Sequence, residues 1–92
     1  MPEKLLYKIH VTGRVQGVGF RWNAVHEAEC FGIYGYVKNM YDGSVYIEAE
    51  GYKEQLDAYL AWCREGPRMG HVKTVSFISC PPVGYTEFNV EL

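Results

Sequence analysis

Gly13-Arg14-Val15-Gln16-Gly17-Val18-Gly19-Phe20-Arg21 stands between a segment of alternating apolar residues and a segment of helical spacing. Glycines at 13, 17 and 19 allow torsions closed to other residues. The backbone can therefore turn tightly and aim successive N–H groups into one concavity. Arg21 adds a planar, permanently charged guanidinium at the edge of that concavity. Amides beside a guanidinium make a site for a small tetrahedral anion such as a phosphoryl group. The same run also reads as an ordinary glycine-containing strand–helix connection ending in a surface arginine, and the local pattern leaves both readings open.

Working outward, Leu5, Tyr7, Ile9 and Val11 alternate with Leu6, Lys8, His10 and Thr12, which predicts a first strand with one more apolar face. After the motif, Ala24, Ala28 and Phe31 recur at helical spacing, Val25 widens the stripe, and Gly32 is a natural stop. Residues 33–41 are aromatic and β-branched and predict a second strand, with Asp42-Gly43 as a two-residue hairpin turn. The returning strand carries Val45, Ile47 and Ala49 on one face and Tyr46, Glu48 and Glu50 on the other, and ends at Gly51. Glu48 and Glu50 read as a solvated strand face.

The period then changes. Leu56, Tyr59, Leu60 and Cys63 predict an amphipathic helix closed by Gly66-Pro67. Val72, Val75 and Phe77 mark a fourth strand that stops before Cys80-Pro81-Pro82, and Phe88 with Val90 suggests a short final strand along an edge. The order β-α-β-β-α-β plus a terminal strand predicts an α+β sandwich, with two helices on one face of a mostly antiparallel sheet.

With 92 residues the chain is expected to be a single domain over 1–92. Nine basic and eleven acidic residues give a net charge of −2, which disfavours a general nucleic-acid binder but allows one local basic pocket. No run is long and apolar enough to cross a membrane, and the first residues lack the pattern of a secretory signal. The cytoplasm is the default expectation. Cys30, Cys63 and Cys80 are odd in number and far apart, so a disulfide framework is a poor reading, and Cys63 suits a buried apolar position. His10, His26 and His71 lack metal-ligand spacing.

The chain resembles the acylphosphatase family. The resemblance rests on Gly13–Arg21 and on a second motif, Gly35-Tyr36-Val37-Lys38-Asn39, which continues through Met40 and Tyr41 to Asp42-Gly43-Ser44-Val45; Gly66-Pro67 followed by Val72 and Val75 adds to it. It implies a ferredoxin-like fold and metal-independent hydrolysis of an acyl phosphate to a carboxylate and inorganic phosphate, with no cofactor. By the same resemblance, Arg21 binds the phosphoryl group, the amides of Val15 through Phe20 surround its oxygens, and Asn39 orients the attacking water. Met40 stands where several relatives carry threonine. Gly19 and Trp22 occupy positions that vary among them.

An acyl phosphate has a good carboxylate leaving group. It needs positioning and charge stabilisation more than a general acid. Arg21 and pre-oriented amides suit that task. The Asn39 amide is no efficient base, but it can accept from water and donate at the same time. Beside Asp42-Gly43 it equally suits a residue serving a turn. Trp22 is expected to pack against the loop rather than border the acyl group. A small open site predicts breadth across acyl groups. The rival readings are a non-catalytic anion sensor and, less in keeping with the acidic residues at 48 and 50, an RNA-binding module. A monomer acting on a small acyl phosphate is expected.

Overall fold

The computed structural model describes residues 3–92. Its elements are β1 (Lys4–Arg14), α1 (Phe20–Phe31), β2 (Tyr34–Asn39), β3 (Val45–Tyr52), α2 (Lys53–Glu65), β4 (His71–Cys80) and β5 (Phe88–Glu91). The strands form one sheet in the order β4-β1-β3-β2-β5. Neighbours are antiparallel except β2 and β5, which run parallel. Each helix crosses from one strand to another that is two places away, with a third strand between them, giving the split β-α-β units of a ferredoxin-like fold.

Alternation sorts the strands' two faces. Tyr7, Ile9 and Val11 of β1, Val37 of β2, and Val45, Ile47 and Ala49 of β3 are buried beneath the helices. Ala24 and Ala28 of α1, with Leu56, Tyr59, Leu60 and Cys63 of α2, close over them. The small residues of α1 let that helix lie near the sheet, and the Tyr59 hydroxyl finds a partner by donating to the Ala24 carbonyl at 2.9 Å. Burial pushes the Cys63 thiol far above its ordinary value, which suits an inert apolar filler. All three cysteines are free thiols.

Helix α1 stops where Gly32 turns left-handed (φ 74°). The Gly32 and Ile33 amides bond back to the Glu29 and Ala28 carbonyls, a Schellman closure. Ile33 is thus a capping residue and β2 starts one position later than its composition suggests. In β2, Gly35 is required by space: a Cβ there would lie 1.8 Å from the Glu48 carbonyl oxygen on the paired strand.

The helix-free face overturns the reading of Glu48 and Glu50 as solvated. Glu50 is 1% exposed, and its carboxylate accepts the amides of Val83 (2.6 Å), Gly84 (2.8 Å) and Tyr85 (3.0 Å). Glu48 accepts the hydroxyls of Tyr36, Tyr46 and Tyr85 at 3.2, 2.7 and 2.7 Å. The segment after β4 folds back over the sheet on these two carboxylates. Burial alone would raise the Glu48 carboxyl; the hydrogen bonds from Tyr46, Tyr85 and Tyr36 outweigh it and hold the group below its ordinary value. Burial and then the Glu48 charge push the Tyr36 phenol up to about 12.

Candidate active site

Strand β1 runs farther than the glycine count suggests, taking in Gly13 and Arg14, so the loop proper is 15–19. Both ends are anchored by apolar burial: Val15 and Phe20 are each 1% exposed. Between them Gly17 (φ 74°) and Gly19 (φ 80°) are left-handed. A Cβ at Gly17 would meet nothing within 4 Å, so that glycine is there for its torsion and not for close packing.

The loop's carbonyls and amides have different fates. The Gly19 carbonyl opens α1, accepting the Asn23 amide at 3.0 Å and the Asn23 side chain at 2.8 Å. Among the described residues, no amide of 15–19 donates to a backbone carbonyl outside the regular elements. These donors flow straight into the N-terminus of the 12-residue α1, whose first N–H groups and dipole add positive potential. Phe20 and Arg21 are its first two residues.

A second loop is tied to the first by a side chain. Gln16 Nε2 donates to the carbonyls of Met40 (2.8 Å) and Ser44 (2.9 Å), joining the glycine loop to the β2–β3 connection. That connection differs from the two-residue Asp42-Gly43 turn. The Gly43 amide bonds the Met40 carbonyl at 3.2 Å, the Met40 amide bonds the Ser44 carbonyl at 2.8 Å, and only Gly43 has positive φ. Tyr41 and Asp42 are the central turn residues, and Gly43 follows in a left-handed conformation. Asp42 Oδ1 accepts the Ser44 amide (2.9 Å) and hydroxyl (2.5 Å), and the Ser44 hydroxyl also meets His10 Nε2 at 2.8 Å. Asp42 is therefore occupied with the turn, and these hydrogen bonds hold its exposed carboxyl below the ordinary value.

Asn39 is the last residue of β2, paired in register with Val45. Its Oδ1 is buried and has no hydrogen-bond partner. It lines a cleft of about 390 Å³ together with Arg21, Gly17, Gly19, Val15 and Phe20. The sole ion pair among the described residues is Lys53–Asp57, so no carboxylate neutralises Arg21. The structure thus brings the two sequence motifs to one cleft. Gln16 and Val18 are outside its lining, Gln16 engaged with the hairpin and Val18 packed against the core.

Three lining residues were not singled out as site residues from sequence. Trp22 is 68% exposed and borders the cleft, which corrects its expected packing against the loop. As the residue after Arg21 on α1 it turns away from the buried Phe20–Ala24–Ala28 stripe. Val90 and Leu92 reach the cleft because β5 lies parallel to β2, with Val90 opposite Val37. No local signal in the sequence points to that strand pairing. Among the described residues, no group of three His, Cys, Asp or Glu side chains could hold a metal ion, and no helix is long and apolar enough to cross a membrane.

Comparison with known proteins agrees with this architecture. A sequence model of the acylphosphatase family matches residues 7–90. An acylphosphatase of Thermotoga maritima is 44% identical over 84 residues, covering 91% of this chain and 93% of its own. One from a Nocardioides species is 42% identical over 82 residues, covering 89% of this chain and 83% of its own. The crystal structure of acylphosphatase from Bacillus subtilis superposes with a TM-score of 0.93 at 36% identity, covering 96% of this chain and 99% of its own. Sequence similarity that runs from β1 into β5, on a fold that superposes over nearly its whole length, makes this chain a member of the acylphosphatase family of enzymes.

Proposed function

We propose that the chain hydrolyses acyl phosphates in the cleft between the glycine loop and the end of β2, with Arg21 and the loop amides binding the phosphoryl group and Asn39 orienting water. The observation that carries this reading is that Asn39, whose buried Oδ1 has no hydrogen-bond partner in the protein, lines the same cleft as an unpaired Arg21.

The chemistry follows from the groups. Arg21 makes two parallel contacts to phosphoryl oxygens, and the amides of the glycine-loop residues that line the cleft add donors that need not reorganise as charge shifts. The Asn39 side-chain amide hydrogen-bonds the attacking water and aims its oxygen at phosphorus. The new P–O bond forms as the phosphorus–acyl oxygen bond breaks; its electron pair leaves on the carboxylate, and the water's proton passes to a phosphoryl oxygen. No metal is needed in this scheme, because the leaving group is a stable anion and Arg21 supplies the positive charge. The substrate is small, and the enzyme acts as a monomer in the cytoplasm without nucleic acid.

The test is hydrolysis of benzoyl phosphate with chelator present, in the parent, Arg21→Ala and Asn39→Ala, each checked for fold by circular dichroism. Turnover by the parent that collapses in both variants is the expected outcome. Phosphate binding without turnover by the parent would instead identify an anion sensor.

A further inference from the structure

We propose that Trp22 and Val90 form an acyl-group subsite that favours an apolar, best an aromatic, acyl portion over one carrying a second anionic group. This rests on the acyl phosphate reading of the same cleft and names the substrate class that the cleft prefers.

Trp22 follows Arg21 directly in the first turn of α1. With the phosphoryl group held at Arg21, the acyl group must leave along what surrounds that arginine, and the next residue presents an indole. Trp22 lines the 390 Å³ cleft and also an adjoining hollow of about 200 Å³, and Val90 lines both, so the two hollows meet at this pair. The cleft falls in the usual range for small-molecule sites and is larger than a phosphoryl group requires.

The indole is pre-arranged. It stacks on His26, one helical turn along, with ring centroids 5.4 Å apart and planes 8° from parallel. Part of one indole face is thereby covered, while the residue remains 68% exposed. A flat ring laid against the uncovered indole surface gains apolar contact and offset stacking with little ordering cost.

Charge argues the same way. Arg21 is the only lysine or arginine lining either hollow, and Glu29 lines the outer one. A second phosphate or carboxylate on the acyl group would find no permanent cation of its own there, only the His26 imidazole already stacked on Trp22, and would face that acid. Breadth across all acyl groups, expected from a small open site, therefore gives way to a directional preference.

The experiment measures kcat/KM for benzoyl, acetyl and succinyl phosphate in the parent, Trp22→Ala and Trp22→Phe, with inorganic phosphate as inhibitor. The parent is expected to prefer benzoyl over succinyl phosphate. The benzoyl-to-acetyl ratio should fall about tenfold in Trp22→Ala, chiefly through KM, and recover in Trp22→Phe. An unchanged ratio overturns the subsite. So does a loss of phosphate inhibition as large as the rise in benzoyl phosphate KM, because phosphate has no acyl group and reports only the Arg21 end. A folded parent that turns over none of the three overturns the hydrolytic reading itself, and the subsite with it.

Discussion

Two segments of this chain present consecutive backbone amides around a left-handed glycine, and they serve opposite ends. In one, the amides of Val83, Gly84 (φ 91°) and Tyr85 close on the chain's own Glu50 carboxylate at 2.6–3.0 Å. In the other, Gly17 (φ 74°) and Gly19 (φ 80°) shape a loop whose amides meet no internal carboxylate and which ends at Arg21. The first is an anion site filled by the fold, and it pins the segment between β4 and β5 across the sheet. The second is left to the cleft. The comparison teaches that a glycine-shaped amide loop is not in itself a functional signal; what matters is whether the fold supplies the anion.

The largest expected effect tests the unfilled loop. Arg21→Ala should cost at least about 3 kcal/mol in kcat/KM for benzoyl phosphate, roughly a hundredfold or more. Its denaturation midpoint should barely move, because Arg21 makes no ion pair. A variant that loses stability in place of activity would make Arg21 a structural residue.

Next comes the filled loop. Glu50→Gln removes the charge that three amides share and turns an amide donor toward them, so it should destabilise by about 2 kcal/mol in urea unfolding. The folded fraction should still turn over benzoyl phosphate. Full stability would show that the carboxylate does not hold the segment.

The glycines sharpen the contrast further. Both Gly17 and Gly84 have positive φ and open space where a Cβ would sit, so alanine at either carries a similar local strain of about 1–2 kcal/mol. Only Gly17→Ala should also lower kcat/KM, by roughly tenfold if that strain displaces the amides. Equal activity in the two variants would break the assignment of separate roles.

The smallest effect is acidic. Because hydrogen bonds from its tyrosines hold Glu48 below its ordinary value, its contribution is present above the unfolded carboxylate titration and is lost as pH falls through the folded value. Urea midpoints between pH 7 and pH 3 should decline less steeply in Glu48→Gln than in the parent.

Much of this was legible without coordinates, for local reasons. The alternation of Tyr7, Ile9 and Val11 and the helical spacing of Leu56, Tyr59, Leu60 and Cys63 each mark one buried face, and those faces are the core observed. The motif glycines could be read because left-handed torsions are a property of the residue itself. The Asp42-Gly43 pair marks where the chain turns but not the type of turn. The Asn39–Val45 pairing leaves a loop in which only Gly43 needs positive φ. Glu50 reads as solvated from its strand alternation alone, because its partners lie more than thirty positions away in sequence. The exposure of Trp22 depends equally on which side of α1 the sheet takes.

What the amino-acid order determined by itself was the set of elements, their succession, and a glycine-shaped amide loop ending in an arginine, since periodicity, glycine torsions and a permanent guanidinium act over a few residues. Tertiary structure alone decided that Asn39 and Arg21 share a cleft, that β5 brings Val90 to its rim, and that Glu50 fills one amide loop while the other faces the cleft. Those outcomes depend on strand order and on contacts between distant segments. The packed sheet sets both, and no short window of sequence contains them.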